Sequence, residues 1–431
     1  MNANQRNPLF SFTGRPDHGL HQDELKSVSH LIAPYCTLTW WCDLSYKGAM
    51  NIEHDEILSF RPTAKLEKAL KVTQSKIENI NLEFQDMNDD EQAWLHRCAM
   101  ISTVGASTRI ENAILTDAEI EWVDTALSED GRPTAFEAQK EGILDKLSKD
   151  RERSLEEVVG CRELLSLIYL QGQDMFPLSE TSLRGLHHAL LRFYPAASHY
   201  AGSYKTSTNQ VVSVNNETGE RRLVLDPAPP GPQTDTAMRE LVSWYNQSLK
   251  EHPWPLLVAT EFVFRFLAIH PFQDGNGRLG RACFLMALLQ ADDLALNTVV
   301  RYISIDRQIE RHRPLYYSVL QQASDGHYKN DPGDYQLEPL AWFVVRMLDA
   351  ALEDISILRE KYAALQRLSE SANKVLACFR SSPERRLKAA EIMAETGLVR
   401  RTVQNSLKTL TDSGLLQRLG SGPATRYQLV F

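Results

Sequence analysis

A histidine, an aspartate and two arginines stand close together in Leu267-Ala-Ile-His-Pro-Phe-Gln-Asp-Gly-Asn-Gly-Arg-Leu-Gly-Arg281, at His270, Asp274, Arg278 and Arg281. His270 is the one side chain of this segment that can take up a proton near neutral pH. Asp274 offers a hard oxygen of the kind that holds Mg²⁺ between phosphates. Gly275 and Gly277 flank Asn276 and permit positive φ, so successive backbone N–H groups can converge on one point. A tight glycine loop feeding a helix N-terminus is an anion site. Arg278 and Arg281 fall in the first turn of the helix expected to begin near Arg278, where the positive end of the macrodipole disfavours cations. No Asp or Glu between 275 and 290 offsets them. A polyphosphate would satisfy the arginines, the N–H groups and the dipole together. A calcium loop is the other reading, but the spacing fails: no placement of Asp274 gives the glycine and the terminal glutamate that an EF-hand requires.

The elements that must position this loop are helical. The apolar run from Val258 to Ile269 predicts a buried helix ending near Pro271, because the residue before proline is pushed out of helical geometry. Phe284, Leu285, Met286, Leu288 and Leu289 predict a second helix after the loop. Upstream, Leu66, Leu70, Val72, Ile77 and Ile80 recur at helix-like intervals. Helical texture continues to about 193, with interruptions near Gly131-Arg132-Pro133 and Phe176-Pro177. Residues 200–226 differ: a stretch rich in β-branched residues, a polar turn at 215–219 and Leu223-Val224-Leu225 predict a hairpin. Residues 340–368 predict one long helix, lying on the domain core rather than pairing as a coiled coil. The expected fold class is mainly α.

The segment His-Pro-Phe-Gln-Asp-Gly-Asn-Gly-Arg-Leu-Gly-Arg resembles the Fic signature, HxFx(D/E)GNGRxxR, at every defined position. What the resemblance implies is a protein adenylyltransferase with ATP and Mg²⁺. His270 would be the base that deprotonates a Ser, Thr or Tyr hydroxyl of a protein target, and Phe272 the anchor of the loop. Asp274 would hold Mg²⁺; Gly275, Asn276 and Gly277 would form the anion hole; Arg278 and Arg281 would hold the outer phosphates. UMP, GMP and phosphocholine donors are known among Fic relatives, so ATP is the commonest expectation rather than a reading of the motif. The hairpin resembles the Fic flap, near 202–226, in which Thr208, Asn209, Gln210, Val211 and Val212 would pair with an extended target.

A second Fic pattern, (S/T)xxxE(G/N), is matched by Ser107, Glu111 and Asn112 in a stretch read as leading into a helix near 103–115. The resemblance implies an inhibitory helix whose Glu111 pairs with Arg281 and takes it from the γ-phosphate. The same glutamate could serve removal of AMP by orienting water.

The last stretch changes character. Residues 371–431 hold ten Lys or Arg against four acids, a charge of +6 that leaves −15 on the rest. Residues 387–397 and 399–414 predict two helices, and 415–430 a two-stranded wing. This resembles a winged helix-turn-helix, in which Arg400, Arg401, Thr402, Gln404, Asn405 and Lys408 would meet DNA. A protein-interaction or dimerisation module is the other reading. From this follows a rival function, a DNA-binding transcriptional regulator in which the Fic unit senses nucleotide. The expected domains are an N-terminal extension over 1–60, a Fic catalytic domain over 61–370 and a winged-helix domain over 371–431.

Composition agrees with a globular protein of two to three domains. The net charge of −9 argues against chain-wide affinity for nucleic acid or anionic membrane. Six cysteines without a CxxC pair read as reduced, mostly buried thiols. No signal-peptide core and no long apolar run occur, so a cytoplasmic location without a membrane is expected. A homodimer is left open.

Overall fold

The computed structural model describes residues 57–129, 132–133, 136, 139–140, 143, 152–214, 221–380 and 385–430. Most of the expected 1–60 extension and the tip of the hairpin therefore lie outside the described residues, as do Cys36 and Cys42.

The helices run α1 (Ala64–Gln85), α2 (Asp89–Ile110), α3 (Asp117–Ala126), α4 (Glu152–Gln171), α5 (Glu180–Leu191), α6 (Pro232–Glu251), α7 (Pro255–Ile269), α8 (Asn276–Gln290), α9 (Leu294–Val299), α10 (Ile305–Arg311), α11 (Arg313–Ser324) and α12 (Glu338–Gln366). Two-residue strands β1 (Ser128–Glu129) and β2 (Arg132–Pro133) pair antiparallel, at the interruption expected near Gly131. β3 (Val211–Val214) and β4 (Arg221–Leu225) form the hairpin, with a bulge between Val211 and Val212. The fold is mainly helical, as expected.

Helix α7 is largely apolar and buried along nearly its whole length, with Glu261 paired to Arg265 one turn on. A helix of that kind sits inside a bundle, and α6, α8 and α12 surround it. Helix α2 lies against α4, α10 and α12. Thr63 and Asn88 cap the starts of α1 and α2 through their side-chain oxygens. In α1, Leu66, Leu70 and Ile77 face the core, but Val72 is 50% exposed, so it falls off the stripe read from sequence. Helix α12 is the long helix expected over 340–368, shifted by two residues. Leu348, Ala351, Leu352 and Ile355 are buried against the bundle, and no second copy is needed to cover them.

Beyond α12 come α13 (Glu370–Arg380), α14 (Ala389–Thr396), α15 (Arg400–Asp412) and the antiparallel pair β5 (Leu416–Leu419) and β6 (Arg426–Leu429). Helix α13 was not foreseen. The module has a hydrophobic core of its own, built on Val375, Phe379, Ile392, Val403, Leu407 and Leu410. Leu365 and Leu368 at the end of α12 pack on that second core. Gly397 ends α14 at φ 68°, where a glycine avoids the Cβ clash of a left-handed residue.

Candidate active site

Helix α7 ends at His270, whose φ of 53° is left-handed. That conformation is uncommon for a residue with a Cβ. Pro271 forbids continuation of the helix, and the loop is then stapled from several sides. Asn276 turns its side chain back, accepting from Phe272 N at 2.9 Å and donating to Phe272 O at 2.7 Å. Phe272 is fully buried and stacks on His187 at 3.8 Å between ring centres. Gly202 N donates to His187 Nδ1 at 2.8 Å, so His187 carries its proton on Nε2, which donates to Asp274 O at 2.9 Å. Gly275 caps α8 with φ of 78°. A Cβ there would stand 3.1 Å from Leu190 as well as strained.

The hairpin joins the same loop. Lys205 N donates to Pro271 O at 2.8 Å. The buried Lys205 Nζ donates to Ile269 O at 3.0 Å and to Asn209 Oδ1 at 2.9 Å. Asn209 Nδ2 in turn donates to Phe272 O at 2.6 Å and His270 O at 3.1 Å. Burial pulls Lys205 down to about 8. Asn209 therefore belongs to the loop's scaffold. Gln210 and Val211 reach the cavity described below, while Thr208 and Val212 are exposed and do not. The outer side of β4 is taken: Gln321 donates to Leu223 O and Tyr328 N to Asp226 O. β3 has no strand on its outer side among the described residues.

His270 Nδ1 faces Leu267 O at 3.2 Å, an oxygen that only accepts, so Nδ1 carries the proton and Nε2 keeps its lone pair. Burial, with the nearby Lys205 charge, drives His270 down to about 4. The imidazole is thus neutral at pH 7.

The two arginines part company. Arg281 is buried and points towards α2 and α10. Its Nε donates to Ser107 Oγ at 3.1 Å, and its Nη2 to Ser107 O at 2.8 Å and Glu111 Oε1 at 3.0 Å. Asp306 Oδ1 stands 3.1 Å from the same Nε. Burial opposes the charge on Arg281, but Glu111, Tyr316 and Asp306 outweigh it and the guanidinium stays ionised. Arg278 instead turns towards Asp274 at 3.5 Å and Glu157 at 3.9 Å. It does not reach the cavity wall, and its Nε and Nη1 lack hydrogen-bond partners among the described residues. These neighbours draw the two long side chains apart. The acids that 275–290 lacks come from elsewhere in the chain, as Glu157, Asp306 and Glu111.

Segment 102–112 ends a helix rather than starting one. Glu111 is the C-cap of α2, and Asn112 follows at φ 73° with its Oδ1 accepting from Arg313. The left-handed Asn112 reverses the chain. A Cβ on Gly277 would collide with the Glu111 carboxylate, so that glycine leaves room for the contact with Arg281.

These groups converge on a cavity of about 390 Å³. His270, Asp274, Gly275, Gly277 and Arg281 line one side, with Glu111 at the arginine. Residues 177–288 match the Fic/DOC family. The chain carries a Fic/DOC family domain. Members of this family commonly transfer AMP or other nucleotide groups onto proteins. Among solved structures, this chain is similar to a Fic family protein from Desulfovibrio desulfuricans G20, at 21% identity over 86% of this chain and 98% of that one, TM-score 0.48. It is similar to a Fic domain containing signaling protein from Bacteroides thetaiotaomicron, at 22% identity over 67% and 97%, TM-score 0.47. It is also similar to Fic-1 from C. elegans, at 16% identity over 68% and 72%, TM-score 0.47.

Sequence reasoning missed His187, Lys205 and Asp306. His187 and Asp306 sit in unremarkable helical stretches, and Lys205 in a polar one. None carries a local pattern. The thiols of Cys98, Cys161 and Cys283 are buried and pushed up to about 12, so they are inert.

Proposed function

We propose that this chain is a protein adenylyltransferase that moves AMP from ATP to a Ser, Thr or Tyr hydroxyl of a target protein and is held back by Glu111. The single observation that carries this reading is the seat of Arg281. A motif arginine at the wall of a cavity beside a glycine-rich helix start is engaged by an acid from another helix. An acid there excludes the γ-phosphate from the arginine.

Neutral His270 takes the proton of the target hydroxyl through Nε2. The hydroxyl oxygen bonds to the α-phosphorus, the bond from that phosphorus to the bridging oxygen breaks, and pyrophosphate leaves. Backbone N–H groups at Gly275, Asn276 and Gly277 stabilise phosphate charge at the start of α8. Arg281, once free of Glu111, holds the outer phosphate; Arg278 steadies Asp274. The residues present fit Mg²⁺ borne on phosphates. Among the described residues no group of three or more His, Cys, Asp and Glu could cage a metal, and Asp274 is a carboxylate, 41% exposed, on the cavity wall, with Glu111 held at Arg281. Mg²⁺ held there would neutralise phosphate charge. The free outer side of β3 suits an extended target strand. Orientation of water by Glu111, for removal of AMP, belongs to the same site.

We divide the chain into a catalytic unit to about 370 and a winged helix-turn-helix from 371. A second reading, regulation of transcription through DNA, is favoured by the exposure of Arg400, Arg401, Gln404, Asn405 and Lys408 along α15. No described helix is long and apolar enough to cross a membrane, and a cytoplasmic location is proposed. The test is transfer of label from α-labelled ATP by wild type, Glu111→Gly and Glu111→Gly/His270→Ala. Label on protein with Glu111→Gly, lost in the double variant, supports the reading. ATP binding without transfer in any of them would turn it to the regulator.

A further inference from the structure

Between the helical bundle and the C-terminal module lies a second cavity, of about 180 Å³. Trp94 and Cys98 of α2, Leu358 and Leu365 of α12, and Leu376 and Leu415 of the module give it an apolar lining. Three acids also reach it, and each is matched. Asp117 stands 2.7 Å from Arg109 and 3.1 Å from Arg307. Asp354 accepts from Gln308 at 2.7 Å and lies 3.6 Å from Arg311. Glu121 lies 3.8 Å from Arg97. Lys361 on the same wall is half-buried and forms no ion pair among the described residues. Arg311, half exposed on the same cavity, lies 3.6 Å from Asp354 and donates to Gln308 Oε1 at 3.3 Å, which leaves further N–H groups for a ligand. An ammonium partly removed from water at the edge of apolar surface favours an anion as its partner.

We propose that this cavity binds a small organic carboxylate with an apolar body, its head at Lys361 and Arg311, and that occupancy tightens the hold of Glu111 on Arg281. The coupling follows from what forms the walls. Helix α10 contributes Arg307 and Arg311 to the cavity. The same helix holds Arg281 through Asp306 at 3.1 Å, and holds Arg109, two residues before Glu111, through Glu310 at 2.6 Å. Helix α2, capped by Glu111, lines the same cavity through Trp94, Cys98, Ala99 and Ser102. A ligand that fits the cavity in this arrangement binds the form in which Glu111 engages Arg281, and shifts the population towards it. The coupling rests on the transferase reading; the binding site does not.

The experiment is calorimetric titration of the full chain with octanoate and with the neutral octanamide. Octanoate should bind about tenfold or more tighter than octanamide, and Lys361→Met should erase that preference. Ala99→Leu, which adds bulk on a buried part of the wall, should weaken both. Absence of octanoate binding at millimolar concentration overturns the site, as does equal binding by wild type and Lys361→Met. For the coupling, octanoate should lower label transfer by wild type several-fold and leave Glu111→Gly unchanged. Inhibition of both alike, or of neither, overturns it. Should Glu111→Gly transfer nothing, the transferase reading fails and the titrations decide the site alone.

Discussion

Glu111 Oε1 sits 3.0 Å from Arg281 Nη2, across 170 positions of sequence. The carboxylate arrives from the C-cap of one helix and the guanidinium from the second turn of another. Neither is wholly exposed, at 34% and 4%, so solvent screens the pair less than a surface ion pair.

Loss of that acid should raise transfer. A hydrogen bond to a charged group contributes about 1.5–3 kcal/mol, so Glu111→Gly should transfer roughly 10- to 100-fold faster than wild type. Ser107→Ala removes only the hydroxyl, and Ser107 O still accepts from Arg281. It should fall between the two. Initial rates of label transfer check both, and a Glu111→Gly rate at or below wild type would sink the brake.

Asp306 should act on the other side of the same arginine. It lies 3.1 Å from Arg281 Nε, is buried, and is raised by that burial against the pull of Arg281. In the Glu111→Gly background, Asp306→Asn leaves Arg281 charged but less well aimed. The KM for ATP should rise about tenfold with a smaller change in kcat. An equal fall in both kcat and kcat/KM would argue for a different role.

The pH profile should carry the mark of burial at His270. Its pKa is driven down to about 4, so the neutral imidazole persists well below the ordinary histidine range. Transfer by Glu111→Gly should hold its rate through pH 6.5 and decline only towards 4, subject to the protein staying folded. His187 is pushed down to about 4 as well, by burial that outweighs its bond to Asp274 O. Depressed histidines bind protons more readily when unfolded, so stability should fall as pH drops from 6.5 towards 4. Rates and urea midpoints over that window check each half.

Asn209→Ala should uncouple the hairpin from the loop. It removes two hydrogen bonds to the carbonyls of His270 and Phe272 and the acceptor of Lys205 Nζ. The loss should cost about 1–3 kcal/mol of stability, read by urea denaturation. Transfer should fall in kcat as His270 loses its aim. Unchanged stability and rate would confine Asn209 to target recognition.

The 270–281 loop was legible because its demands are local. Proline after His270, glycines at 275 and 277, and apolar runs on both sides specify a helix, a break and a helix. The hairpin was legible from its β-branched residues and polar turn, and α12 from periodicity. The exposed Val72 and the unforeseen α13 mark the limit of periodicity, since a stripe does not say which apolar residues a neighbour will cover.

By itself the sequence determined the chemistry on offer: a histidine, an acid, an anion-binding turn and arginines in one short segment, with a basic module after it. The pairing of Glu111 with Arg281 was already implied by the resemblance; only the tertiary structure decided the other partners of the two arginines. It sent Arg278 to Asp274 and Glu157, Arg281 to Ser107 and Asp306, and placed His187, Lys205 and Asn209 behind the loop. The reason is that backbone turns are set by residues next to one another, whereas a buried charge takes its partner from whichever helix packs beside it.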